Sequence, residues 1–390
     1  MYTFYNIKKM LSSIAFYSDK INLYDSFDKL PIIEKCDVKK NLSKFFNKKF
    51  EKNEINDYTS GSTGMPLNVK WYKSDYIRSI LCTWELRKKY NIAPLDRFCT
   101  FHSYIYDKDK KMFSPKIFVD KFEISISFSK LNLSLENMEL YYQKILNFKP
   151  IWMYITPSIF DYLIYFLDTK NLSFPETIKI VEVTGEILTD EKKQFFENRT
   201  NTKVINHYGS REFNSIAYEC PCGKMHIVEK NVFVEIIDKQ SNDIGNICVS
   251  TLLNNKMPLI RYNLKDKGKI TNSFCKFENK IKQNIDVIEA SANDVIYIDG
   301  KYYDYSFFSY LINKINVDNK FPIKSFQVVF ENKNVCFNLF MEKRFYKLIL
   351  HKLKMLFHYD KIIVNVISEP NLLIRNGKIK YVINMECIDG

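Results

Sequence analysis

The sequence predicts an α/β protein of two domains, a large one over residues 1–292 and a small α+β one over 293–390. Three observations predict it. Between residues 156 and 210, short apolar runs alternate with amphipathic segments, the pattern of strands crossing to helices. From residue 232 that alternation gives way to paired strand signals. At 390 residues and 46 % hydrophobic content the chain is long enough to bury a large core and divide.

The elements follow in order. Residues 1–55 read as mostly helical and polar. "SDYIRSILCTWELRKKY" (74–90) carries Ile77, Ile80, Leu81, Trp84 and Leu86 near helical spacing and predicts a helix. Thr156-Pro157 is a hydroxyl cap followed by proline in the first turn, so a helix starts there, with Ile159, Phe160, Leu163, Ile164 and Leu167 on its buried side. "TIKIVEVTG" (177–185) reads as a buried strand ending in a tight turn. "LTDEKKQFFEN" (188–198) reads as a helix, acidic at its start as the dipole prefers. "KVINHYGS" (203–210) steps from strand to loop. "VFVEIID" and "NICVSTLL" are strands joined by turn residues. "DVIYIDGKYYDY" (294–305) is a hairpin turning at Asp299-Gly300. The last hundred residues read strand, strand, amphipathic helix (343–357, with Phe345, Leu348, Ile349, Leu353 and Leu356), strand. The domain boundary falls near 291–294.

Composition bounds the function. No apolar run reaches the ~18 residues of a membrane span. The longest candidate, "SIFDYLIYFL", is short and contains Asp161. The N-terminus lacks a signal-peptide core. Nine scattered cysteines, an odd number, point to a reducing, cytoplasmic setting with free thiols or a metal site, not a disulfide framework. The net charge of +13 attracts anions such as ATP, and no interleaved aromatic–basic module points to nucleic acid.

The chemistry is concentrated around glycine. There are only ten glycines, where average usage of about 7 % would give roughly 27. Two lie in "YTSGSTGMPL" (58–67), among Thr59, Ser60, Ser62 and Thr63. Glycines let a backbone curl so that successive N–H groups point at one anion, and the hydroxyls add donors. The P-loop spacing is absent, since Lys70 stands six residues beyond Gly64.

"YTSGSTGMPL" resembles the phosphate loop of the adenylate-forming superfamily, the acyl- and aryl-CoA ligases and their relatives. Four further segments match in order: "VTGEILTDE" (183–191), "NHYGSREF" (206–213), "MPLIRYNLKDKG" (257–268) and "IRNGKIKYVI" (374–383). "YGSRE" with the following "AYECPCGKMH" is most similar to phenylacetate–CoA ligase relatives, especially those named for capsular polysaccharide gene clusters. The resemblance implies an adenylate-forming-enzyme fold with a mobile C-terminal domain. It implies that ATP and magnesium activate a small carboxylic acid as its acyl-adenylate, for transfer to CoA, a carrier-protein thiol or an amine. By resemblance, Thr59, Ser60, Gly61, Ser62, Thr63 and Gly64 hold the β- and γ-phosphates. Gly185, Glu186, Tyr208, Gly209 and Ser210 border the adenosine, and Asp266 binds the ribose. Glu212 places magnesium, which favours carboxylate and phosphate oxygens. Lys378 supplies the mobile cation of adenylation. His102 of "TFHSY" and His207 are candidates for the acid pocket wall.

Three departures bear on the acceptor and the phosphates. Met65 stands where the family often has lysine. Ser291 or Ala292 stands where the hinge region usually has arginine. The Gly-rich lining of the CoA tunnel is reduced to Asp299-Gly300. Adenylation is supported by the motifs more strongly than CoA use. Separately, Cys220, Cys222 and His226 are thiolate and imidazole ligands close enough in sequence for structural zinc, with Cys248 as a candidate fourth.

Overall fold

The computed structural model describes residues 4–18, 21–48, 53–58, 67–102, 105–106, 112–113, 115–129, 134–289, 296–298, 301–303, 308, 311–312, 314–316, 323–368, 374–375, 378–379 and 381–385. It divides into two compact units, Met1–Leu95 with Ile205–Ala290, and Asp96–Val204 with Ser291–Gly390.

The first unit is built on an antiparallel sheet. Its strands lie in the order Val232–Ile237, Gly245–Thr251, Tyr262–Cys275, Lys280–Glu289, Met225–Ile227, Asn214–Glu219 and Lys203–Ser210. The N-terminal helices Phe4–Leu11, Ala15–Ser18 and Lys35–Lys40 cover it, and Leu11, Ile14, Val38, Trp71, Ile216, Val249 and Ile285 form one buried core. The N-terminal stretch is therefore less polar than it reads, because Ile7, Leu11, Ile14 and Tyr17 all face inward. A parallel bridge between Ile33 and Tyr262 carries the following residues alongside the strand that holds Asp266.

Helix Lys73–Arg87 forms where its spacing predicts, but with another face inward. Ile77 and Leu81 are 46 % and 53 % exposed, while Asp75, Ser79 and Thr83 are buried. Its inner face carries a set of polar contacts. Ser79 Oγ donates to Asn231 Oδ1 at 2.8 Å and accepts from Asn214 Nδ2 at 3.0 Å. Thr83 and Ser215 share a hydrogen bond of 2.5 Å, and Asp75 accepts the Asn255 backbone N–H at 2.9 Å. Hydrogen bonding on this face, together with the Tyr76 ring edge-on against Trp71 at 5.8 Å, sets the phase of the helix.

The second unit contains the expected α/β layers. Strand Phe98–His102 pairs in parallel with Ser125–Ser129 and Trp152–Ile155, and the latter with Ile180–Thr184. Helices Leu135–Phe148, Pro157–Lys170 and Asp190–Thr200 alternate with them, as parallel crossovers require. The second helix starts at Pro157 as predicted, with Ile159, Phe160, Leu163, Ile164 and Leu167 buried, but the Thr156 hydroxyl caps no backbone N–H and the Ser158 N–H goes to Glu186 instead. Burying each such side chain contributes about 1.5–3 kcal/mol. Thr189 caps the third helix, its hydroxyl accepting the Lys192 N–H at 3.3 Å, with Asp190 and Glu191 in the first turn.

The C-terminal part of this unit has its own sheet, in the order Ile362–Ile367, Asn334–Met341, Ile323–Glu331, Val382–Asn384. Its central hairpin turns on Asn332 and Lys333, both left-handed at φ 51° and 57°. Helix Tyr346–Phe357 buries Ile349 and Leu353 on it, while Leu348 remains 39 % exposed. Strands Ile296–Ile298 and Lys301–Tyr303 form the predicted hairpin, whose Asp299-Gly300 turn lies outside the described residues. Within this unit the Tyr165 ring meets Phe340 edge-on at 4.8 Å between centroids.

Candidate active site

Strand Glu54–Tyr58 pairs antiparallel with Asn68–Tyr72, so the predicted phosphate loop connects two adjacent strands. Thr59, Ser60, Gly61, Ser62, Thr63, Gly64 and Met65 lie outside the described residues. The base of the loop is anchored. Asp57 accepts from Arg211 Nη1 at 3.2 and 3.3 Å. Arg211 is the variable position of "YGSRE", and nothing in the sequence links it to a carboxylate 154 residues away.

"YGSRE" closes strand Lys203–Ser210, whose register with Asn214–Glu219 shifts between Tyr208 and Gly209. The shift brings the Asn214 carbonyl so close that a Cβ on Gly209 would sit 2.3 Å from its oxygen. Only glycine fits. Gly209→Ala is therefore expected to lose about 1–3 kcal/mol of stability, read as a lower denaturation midpoint. A midpoint equal to wild type would show that the bulge relaxes.

Tyr208 Oη donates to Asp266 Oδ2 at 2.6 Å, joining two of the sequence motifs. Burial pushes the Tyr208 phenol well above its ordinary value, and the Asp266 charge pushes further the same way, so the hydroxyl keeps its proton and remains a donor. Ser210 Oγ is buried with no hydrogen-bond partner among the described residues. Such an orphan costs on the order of 1–3 kcal/mol, which a bound ligand would recover. Glu212 is buried, with Tyr262 Oη 3.4 Å and Lys35 Nζ 3.8 Å from Oε1. Burial, and then the Glu212 charge, raise the Tyr262 pKa, so this phenol too is a donor. Lys35 could not be foreseen, since the Ile33 bridge brings it here from a distant segment.

In the second unit Gly185 has φ 81°, a conformation that favours glycine. Glu186 accepts the Ser158 backbone N–H at 2.9 Å and the Ser158 hydroxyl at 2.7 Å. Its carboxylate thus holds the start of helix Pro157–Lys170, a positioning role that the motif alone does not reveal. His102 Nε2 donates to the Pro115 carbonyl at 3.1 Å, and Nδ1 lies 2.6 Å from Ser127 Oγ. His207, in the first unit, is buried with Nε2 2.8 Å from Ser215 Oγ. Strand Lys378–Ile379 pairs with Ile374–Arg375, while Gly377 and the Lys378 side chain lie outside the described residues.

The first unit therefore brings Tyr208, Gly209, Ser210, Glu212 and Asp266 together, and adds Asp57, Arg211 and Lys35. It also places Cys220, Cys222 and His226 with Cys275, which the sequence reading missed. The candidate fourth ligand Cys248 is corrected. It sits opposite Glu235 and Asn263, whereas strand Met225–Ile227 pairs with Lys280–Glu289. Asn263 is twelve residues before Cys275 on one strand, roughly 40 Å when extended.

No family model matches the chain. Protein CapK of Staphylococcus aureus is 26 % identical over 293 residues, which is 69 % of this chain and 61 % of CapK. The chain thus spans less than two thirds of the length of that curated relative. The crystal structure of 2-hydroxyisobutyryl-CoA ligase in the postadenylation state with R3-HIB-AMP matches at a TM-score of 0.74 and 14 % identity, covering 98 % of this chain and 88 % of the ligase. The chain has the fold of the adenylate-forming ligases. The amide bond synthetase McbA from Marinactinospora thermotolerans shares this adenylate-forming fold at a TM-score of 0.52 and 10 % identity, over 84 % of this chain and 66 % of McbA. Within the adenylate-forming fold of this chain, the Tyr208–Asp266 bond joins segments 58 residues apart in sequence.

Proposed function

We propose that the chain is an ATP-dependent, AMP-forming carboxylic acid ligase of the phenylacetate–CoA ligase-like group, acting in the cytoplasm. The observation that carries this reading is the hydrogen bond from Tyr208 to Asp266, beside the forced glycine at 209 and the orphaned Ser210 hydroxyl. Two motif segments matched by resemblance converge there, and the Ser210 hydroxyl has no hydrogen-bond partner among the described residues.

In the proposed reaction an oxygen of the acid's carboxylate forms a bond to the α-phosphorus of ATP. The bond from that phosphorus to the bridging oxygen breaks, and pyrophosphate leaves with the electron pair. A thiol or amine then attacks the acyl carbon, loses its proton, and AMP departs. The first step brings two anions together, so it needs donors and cations fixed before reaction. Thr59 to Gly64 cradle the β- and γ-phosphates over a hairpin fastened by Asp57 and Arg211. Asp266, oriented by the Tyr208 hydroxyl, accepts from the ribose hydroxyls. Ser210 Oγ meets a polar atom of the nucleotide, and Gly185 with the Glu186 turn borders the adenosine. His102 and His207 border the acid.

The buried Glu212 carboxylate is a donor suited to a hard cation. Magnesium, when bound there, offsets phosphate charge. Lys35 and Tyr262 hold that carboxylate in place. The domain 293–390 moves between half-reactions and presents Lys378 for the first.

CoA is the acceptor thiol proposed first. Transfer to an amine or a carrier-protein thiol is the second reading, favoured by the reduced Asp299-Gly300 segment and by the fold shared with an amide bond synthetase. The test is ATP–pyrophosphate exchange across a panel of carboxylic acids, then mass spectrometry of the product with CoA, amines or a carrier protein. Acid-dependent exchange is expected. Its absence with every acid would instead favour a binding protein on this fold.

A further inference from the structure

We propose that Cys220, Cys222, His226 and Cys275 bind one zinc ion, which ties the turn after strand Asn214–Glu219 to the turn after strand Tyr262–Cys275.

The four donor atoms all lie within 4.8 Å of one another. Their spacing separates the alternatives. A disulfide would require sulfurs about 2.05 Å apart, whereas Cys220 Sγ is 3.6 Å and Cys222 Sγ is 3.7 Å from Cys275 Sγ. A tetrahedral zinc with bonds near 2.3 Å to sulfur sets its thiolates about 3.8 Å apart, and a thiolate and an imidazole nitrogen about 3.6 Å apart. Cys222 Sγ stands 3.4 Å from His226 Nε2. The measured separations thus lie close to the edges of a coordination tetrahedron.

The surroundings fit the same ion. His226 Nδ1 is 2.7 Å from Asn284 Oδ1, and an amide oxygen only accepts, so Nδ1 carries the proton and Nε2 turns its lone pair to the sulfurs. Asn284 is itself held, its Nδ2 donating to Ser273 Oγ at 2.8 Å. The Glu278 backbone N–H donates to Cys275 Sγ at 3.4 Å, which stabilises a thiolate. Between the first two cysteines and the histidine the chain turns through Gly223 at φ 78°, closed by its N–H on the Cys220 carbonyl at 2.7 Å. Cys220, His226 and Cys275 are buried.

Four protein ligands leave no coordination position for a substrate, so the ion is structural. Cys220 and Cys222 come from one turn, His226 from the strand that follows it, and Cys275 from the end of a strand 53 residues after Cys222. The ion therefore fastens strand Asn214–Glu219, which follows directly from "YGSRE", to the strand carrying Asp266.

The test is elemental analysis of protein purified without chelator. We expect roughly one zinc per chain for the wild type and for Cys248→Ser, falling to near zero for Cys275→Ser. Zinc-edge X-ray absorption of the wild type keeps the question decidable if Cys275→Ser does not fold. Three sulfurs near 2.3 Å and one nitrogen near 2.0–2.1 Å are expected. Wild-type protein without metal whose melting a chelator leaves unchanged would overturn the site. So would full occupancy in Cys275→Ser, or a first shell of other composition.

Discussion

In Lys378→Ala, adenylate formation is expected to slow by on the order of a hundredfold or more, the usual cost of removing a charge partner of the transition state. Transfer of the acyl group from a synthetic acyl-adenylate is expected to proceed near the wild-type rate. The asymmetry follows from the proposed roles. Charge develops on the attacking carboxylate and the α-phosphate only in the first half-reaction, and the small domain has moved before the second. Strand Lys378–Ile379 is a two-residue arm of a short hairpin, so a side-chain change there should leave the sheet around Val382–Asn384 intact. Single-turnover measurement of each step decides the matter. Equal damage to both would point to a disturbed domain or a lysine used twice, and no damage to either would remove Lys378 from the chemistry.

Asp266→Ala and Glu212→Gln are each expected to reduce pyrophosphate exchange by at least about tenfold, equivalent to roughly 1.4 kcal/mol of transition-state stabilisation. The two should differ in kind. Asp266 is assigned to the ribose, a contact made before and during reaction, so its loss should raise the KM for ATP most. Glu212 is assigned to the metal that meets developing charge, so its loss should lower kcat. Tyr208→Phe should shift the KM for ATP in the same sense as Asp266→Ala but less, since it removes only the 2.6 Å hydrogen bond that orients the carboxylate. Wild-type kinetics in folded Asp266→Ala and Glu212→Gln would falsify the site assignment.

What could be read from the sequence, and what could not, divides along one physical line. Local signals held. Thr189 starts its helix with a cap satisfied three residues on, and Pro157 starts the other in the first turn with its fixed φ. The parallel core was legible from its apolar strands and their crossover helices. Motif order pointed to Tyr208 and Asp266. Long-range partners were not legible. The Asp57–Arg211 pair, the Lys35 ammonium beside Glu212, Ser158 on Glu186 and Cys275 beside Cys220 are each set by which strands pair, and residue types do not encode pairing. Cys248 was a candidate as a residue of the neighbouring strand in the expected hairpin, but the pairing of Met225–Ile227 with Lys280–Glu289 excludes it.

Helix Lys73–Arg87 has a consequence for how this protein tolerates change. Along it, hydrophobicity and constraint run in opposite directions. Ile77 and Leu81 face outward, so exchanging either for lysine or glutamate should leave folding nearly untouched. Ser79 and Thr83 look replaceable on paper, yet each ties the helix to the sheet, and the chain continues through Ser215 to His207 Nε2. An apolar side chain at Ser79 would strand both Asn231 Oδ1 and Asn214 Nδ2 in the interior. A lineage could leave this arrangement only by changing several of these residues in concert, so drift at the seam should proceed in correlated steps while the outer face varies freely.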